Sequence, residues 1–262
     1  MIPQAAIIHW RNVVPWPQEA QVEQDLILSR ALVEIFQDPM LSRALLLRGG
    51  TAFHKLFVSE PWRYSEDIDF VQVAAGPIGP TLNALRARLD PVLGKPVWER
   101  SPNSVTLRYR MESEIPPVIP LRLKIEINTR EHFSVFGVEP RSFGIQSPWF
   151  EGKAEIQSFA LDELMGTKLR ALYQRRKGRD LFDLWIALGM DEVDPKRVVQ
   201  AFRRYMEAEG STVTRGEFEK NLAAKVGLRS FDQDLRLLLA PGIQYDVAEA
   251  AARVEAELLA LL

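Results

Sequence analysis

Apolar residues recur with helical spacing early in the chain. In QVEQDLILSRALVEIFQDP, positions Leu28, Ala31, Leu32, Ile35 and Phe36 follow the i, i+3, i+4, i+7, i+8 pattern. That spacing predicts an amphipathic helix closed by Asp38-Pro39. ALLLR then predicts a short buried strand, Gly49-Gly50 a turn, and TAFHKLF a helix with Thr51 as its N-cap. DIDFVQV has the β-branched and aromatic content of a strand. A loop in AAGPIGP and a helix in TLNALRARLDPVL follow. SVTLRYRM and LRLKIEIN predict two more strands. In the second, Leu121, Leu123, Ile125 and Ile127 alternate with Arg122, Lys124, Glu126 and Asn128. After SPWFEG the period changes, and from about Phe159 six consecutive segments read as helices.

Strands mixed with helices first, then helices alone, predict an α+β protein. Residues 1–150 are expected to form a mixed sheet with flanking helices, and residues 151–262 a helical bundle domain. No internal repeat or low-complexity run interrupts this order.

Composition narrows the function classes. At 262 residues and 47% hydrophobic content the chain can bury a large core. A net charge of -2 excludes a wholesale basic nucleic-acid binder but leaves room for a local basic patch. With no cysteine there is neither a disulfide framework nor a thiolate metal site, which fits a reducing cytoplasm. His9, His54 and His132 are too scattered for a histidine zinc site and are expected to be packing or surface residues. The N-terminal residues lack the features of a signal peptide. No apolar run approaches the roughly 20 residues of a membrane span, so no membrane partner is expected.

The chemistry begins with Asp67 and Asp69, two carboxylates inside a strand-like run. Burying charge is costly unless it is paired or holds a metal. Residues i and i+2 of a strand point to one face, so both carboxylates emerge side by side. Two hard oxygen ligands suit Mg²⁺, which takes one or two carboxylates together with substrate phosphates. Upstream, strand–Gly49-Gly50-Thr51–helix presents backbone N–H groups at a helix N-terminus, a ready anion site. Glu126, on the polar face of LRLKIEIN, is a candidate third carboxylate; equally, it is an exposed residue paired with Lys124 or Arg122.

A second stretch, GTKLRALYQRRKGRDLFDLW, is the most basic of the chain, with Lys168, Arg170, Arg175, Arg176, Lys177 and Arg179. Asp180 and Asp183 follow at i, i+3 and share a helical face. They lead into an apolar run, which places Asp183 near a buried junction. The alternative is a solvated helix whose exposed ion pairs contribute little.

A Gly-Gly turn followed by D-x-D on the next strand resembles the nucleotidyltransferase superfamily. Three ordered motifs narrow the likeness. They are Gly49-Gly50-Thr51-Ala52 with Lys55, then Arg63, Ser65, Asp67 and Asp69, and finally Lys168 through Leu184. Together they resemble the AbiEii/AbiGii-type nucleotidyltransferase toxins of type IV toxin–antitoxin systems, which include the MenT group. Thr51 stands where serine is commoner.

The resemblance implies a nucleotidyltransferase-like N-terminal domain whose active site the helical domain completes. Gly49, Gly50 and Thr51 would bind the phosphates of an NTP, and Asp67 and Asp69 would hold Mg²⁺, with Glu126 as a further metal ligand. Lys168 would contact the triphosphate, Asp183 would be an essential acid, and Arg179 and Asp180 would support them. The implied reaction transfers NMP from an NTP to an acceptor, the 3′ end of tRNA in some relatives, with Lys168–Arg179 as the candidate RNA patch. The implied partner is a cognate antitoxin that need not form a stable complex. Two other readings fit the same residues. One is a nucleotidyltransferase acting on a protein or small molecule, and the other is a catalytically silent relative that binds a nucleotide or partner.

Overall fold

The computed structural model describes residues 2–262 and divides into two compact units. Of the described residues, the first comprises 2–133 and 138–158, the second 134–137 and 159–262. The protein is α+β, as its alternation of periods predicts.

In the first unit, α1 (Gln4–Arg11) and α2 (Glu19–Phe36) precede α3 (Pro39–Ala44), β1 (Leu45–Arg48) and α4 (Gly49–Leu56). Then come β2 (Asp67–Gln72), α5 (Gly79–Leu93), β3 (Val97–Arg100), β4 (Ser104–Glu112) and β5 (Pro120–Asn128). β6 (Val138–Gln146) and β7 (Glu151–Phe159) complete the order. The described residues form a mixed seven-stranded sheet in the order β3-β4-β5-β2-β1-β7-β6. β1 runs antiparallel to β2, and β2 parallel to β5. One face carries the core: Leu123, Ile125 and Ile127 on β5, Ile68 and Phe70 on β2, and Leu107 and Tyr109 on β4 are all buried. α2 packs on β5 and α5 on β4.

Three local expectations change. Asp38-Pro39 ends one helix and also starts the next, because Asp38 caps α3 by accepting from Met40 N and Leu41 N while Pro39 is preorganised for a first turn. Thr51 is not the N-cap of α4. The helix begins at Gly49, Arg48 occupies the cap position without a side-chain cap bond, and Thr51 lies in the first turn. SPWFEG contributes to the turn between β6 and β7, where Ser147 Oγ accepts from Trp149 N and Phe150 N at 3.3 and 3.1 Å. β6 and β7 escape notice because their largely polar, partly exposed sequences carry little period-2 apolar signal. Pro140 is tolerated because β6 lies at the sheet edge.

The second unit is helical: α6 (Leu161–Gln174), α7 (Gly178–Ala187), α8 (Pro195–Ala208), α9 (Arg215–Val226), α10 (Arg229–Arg236) and α11 (Val247–Glu257). α6 packs closely on α8. A Cβ at Gly166 would lie 2.5 Å from Ala201 Cβ, so only glycine permits this approach. Buried Glu163 accepts from Ser134 Oγ, Val135 N, Phe136 N and Tyr205 Oη and ties residues 134–137 into this unit. No helix among the described residues is long and apolar enough to cross a membrane.

Candidate active site

The first unit assembles the glycine turn and the paired aspartates. β1 ends at Arg48, which registers with Asp69 on β2. The chain then enters α4 through Gly49 at φ +79°, a left-handed conformation that disfavours a side chain. A Cβ there would also come within 2.5 Å of Asp69 Oδ2. Gly50 is constrained from another side: its Cβ would meet Arg63 Nη2 at 2.4 Å. Arg63 is buried and donates from Nη1 to Tyr64 O at 3.0 Å. The Thr51 side chain is buried too. Its hydroxyl pairs with Ser65 Oγ at 2.9 Å and donates to the Asp67 carbonyl, stitching α4 to β2. The first turn of α4 has no side-chain cap, which leaves its first N–H groups without an intrahelical partner, and its first residue, Gly49, lies against the Asp69 carboxylate.

Asp67 and Asp69 occupy the polar face of β2, opposite Lys124 and Glu126 of β5. Lys124 Nζ lies 2.7 Å from Glu126 Oε2 and 3.7 Å from Asp67 Oδ2. Glu126 therefore has the lysine partner that the simpler sequence reading allowed. Burial raises the Asp69 pKa, Arg48 pulls it down, and the charge of Asp67 raises it again, for a net upward shift. Glu126 goes the other way: burial opposes ionisation, but the Lys124 hydrogen bond and charge outweigh it. Arg48 also pairs with Glu131. Asp25 supports the turn from behind. It accepts from Trp10 Nε1, Trp16 Nε1 and Lys55 Nζ at 2.8–3.0 Å, so the motif lysine Lys55 anchors α4 to α2.

Among the described residues no three His, Cys, Asp or Glu side chains come together as a metal cluster. The donor set is instead a carboxylate pair against an uncapped helix start. That set fits Mg²⁺, which completes its octahedron with water and phosphate oxygens. The net upward shift of Asp69 is the kind of cost that a bound cation offsets.

The second unit brings Lys168, Asp180 and Asp183 together. Lys168 Nζ lies 2.8 Å from Asp183 Oδ2 and 3.2 Å from Asp180 Oδ1, and all three residues are buried. Arg175 adds a bidentate bond to Asp180 at 2.6 and 2.8 Å. Burial raises the Asp180 pKa, but Lys168 and Arg175 outweigh it, so the carboxyl is held below its usual range. Arg179 and Lys177 both reach Asp234, at 3.8 and 2.8 Å, and Arg170 donates to Glu209 at 2.8 Å. The basic stretch read as an RNA patch is thus largely neutralised by acids of its own unit.

Sequence reasoning passed over Arg48 and the Asp25 anchor, and gave Lys124 no role beyond pairing with Glu126. Asp25 had a signal, since it lies three residues before Leu28 on the apolar stripe of α2. Arg48 had none, because only the β1–β2 register places it beside Asp69.

A glycine turn at an uncapped helix, with adjacent carboxylates on the neighbouring strand of a mixed sheet, is the arrangement of a nucleotidyltransferase. The family model "Nucleotidyl transferase AbiEii toxin, Type IV TA system" matches residues 30–253, and the chain belongs to that family. It is a nucleotidyltransferase, and membership implies a nucleotide substrate and an antitoxin partner. Among solved structures, MenT4, a nucleotidyltransferase toxin of Mycobacterium tuberculosis H37Rv, is similar at 18% identity and TM-score 0.65. That match covers 100% of this chain and 91% of MenT4. JHP933 from Helicobacter pylori is similar at 17% identity and TM-score 0.57, covering 92% of this chain and 90% of JHP933. At these identities the likeness concerns the fold. No curated protein matches the chain.

Proposed function

We propose that the chain catalyses Mg²⁺-dependent transfer of a nucleoside monophosphate from an NTP to an RNA acceptor, the 3′ end of a tRNA, whose terminal hydroxyl attacks the α-phosphate and displaces pyrophosphate. The observation that carries this reading is the carboxylate pair Asp67–Asp69 on β2, with Asp69 packed against Gly49 at the uncapped start of α4. The backbone N–H groups of Gly49, Gly50 and Thr51 receive the NTP phosphates. The Thr51 hydroxyl acts through position, holding the turn to β2 by its bond to the Asp67 carbonyl. Asp67 and Asp69 hold the Mg²⁺, with Glu126 as the third acid of the face, and Lys124 and Arg48 moderate the accumulated negative charge. The metal supplies charge stabilisation to the oxygens around the reacting phosphorus. Lys168, Asp183, Asp180 and Arg179 enter this reading through the family motif. Lys168 serves the triphosphate, Asp183 is an essential acid, and Arg179 and Asp180 support them.

The test is incubation of the full chain with α-labelled NTPs, Mg²⁺ and total RNA. We expect label in the tRNA fraction, loss of it with EDTA, and a rate about 10²–10³ lower for Asp69→Asn, the scale of losing one electrostatic stabiliser. Labelling of protein or a small molecule in place of RNA would overturn the acceptor. An Asp69→Asn protein as active as wild type would overturn the metal assignment.

A further inference from the structure

β4 and β5 pair antiparallel with Arg108 opposite Lys124 and Arg110 opposite Arg122. Directly opposed residues share one face of a sheet, and β2 brings Asp67 beside Lys124 and Asp69 beside Glu126 on that face. A row of cations therefore leads away from the carboxylate pair along the strands. Its nearer members are matched, Lys124 with Glu126 at 2.7 Å and Arg108 with Glu99 at 2.7 Å. The outer members, Arg110 and Arg122, are exposed, and among the described residues neither guanidinium has an acid partner. Glu112 follows on the same face of β4, opposite Pro120, and makes no ion pair with Arg110. Like charges directly across a ladder destabilise it, so packing within the unit gives no reason for this pair. An external anion does.

We propose that Arg110 and Arg122 are a binding track for the phosphodiester backbone of the acceptor nucleic acid, leading its end to the Asp67–Asp69 pair on the central strand β2. The inference rests on the nucleotidyl-transfer reading above and adds where the acceptor is held. Two planar guanidiniums suit phosphate oxygens, which accept paired N–H donors. A short track of this kind reconciles a nucleic-acid acceptor with a net charge of -2. The more conspicuous basic stretch, 168–179, has its charges largely matched internally.

The experiment compares wild type with Arg110→Gln, Arg122→Gln and the double variant as full chains. It measures KM for RNA over a salt series, KM for NTP, and Tm. We expect KM for RNA to rise. The slope of log affinity against log salt should fall by about 0.7 per arginine, about 1.4 for both, as for phosphate contacts on a single strand. KM for NTP should be unchanged, and Tm unchanged or higher because the cross-strand repulsion is relieved. RNA labelling with an unaltered RNA KM and salt slope would overturn the track and leave the transfer reading intact. A rise confined to KM for NTP would assign the pair to the triphosphate, and a fall in Tm with uniform loss of activity would make it structural; either overturns the proposal. Wild-type labelling of protein or small molecules alone would remove both the RNA acceptor and the track.

Discussion

The two acidic pairs of this chain have opposite electrostatic settings. Asp180 and Asp183, one helical turn apart, are fully buried and face Lys168 and Arg175, so the cluster carries no net charge. Asp67 and Asp69, two residues apart on a strand, remain partly exposed, and the Asp69 pKa is pushed up because nearby cations do not cancel burial and like charge. The helical pair has its cations built in, whereas the strand pair lacks full compensation from the cations around it. The same residue type thus acquires different chemistry from what the fold sets opposite it.

Breaking the helical cluster should produce the largest change in stability. Asp180→Asn leaves buried Lys168 and half-exposed Arg175 partly unmatched and should cost about 3 kcal/mol, the low end for breaking a buried pair, measured by denaturant unfolding. Its pH dependence has a definite sign. A carboxyl whose folded pKa is lowered stabilises the fold above its ordinary value of about 3.9 and loses that contribution as pH falls through the lower folded value. The gap between wild type and Asp180→Asn should therefore be widest near neutrality and narrow below about pH 4. A gap independent of pH would mean that Asp180 acts through packing alone.

Gly49→Ala probes the strand pair next. A side chain at φ +79° that also meets Asp69 Oδ2 should cost about 1–3 kcal/mol and should weaken NTP binding in a titration. An alanine variant with unchanged NTP affinity would separate the turn from the phosphates. The smallest effect is expected from Ser65→Ala, which removes one partner of the Thr51 hydroxyl while its bond to the Asp67 carbonyl persists. The loss should be about 1 kcal/mol, seen as a modest shift of the unfolding midpoint. A tenfold or greater fall in transfer rate without that shift would give Ser65 a direct role.

Much of this was legible beforehand. The apolar period of Leu28 to Phe36 marked α2, the alternation of LRLKIEIN marked β5, and GGT with D-x-D marked the face of the candidate site. β6 and β7 were illegible because partly exposed polar strands lack a clear period. The internal matching of the basic stretch was equally hidden, since Arg170 finds Glu209 and Lys177 finds Asp234 across long sequence separations.

The sequence by itself determined most element types, the side-by-side emergence of Asp67 and Asp69, and the family, because these depend on local period and on spacing within short motifs. Only the tertiary structure decided which charges are neutralised. Lys168 faces two buried aspartates, Lys124 faces Glu126, and Arg110 and Arg122 face each other without an acid. Compensation of charge falls off within a few ångströms, and only strand register and helix packing bring residues from distant parts of the chain that close.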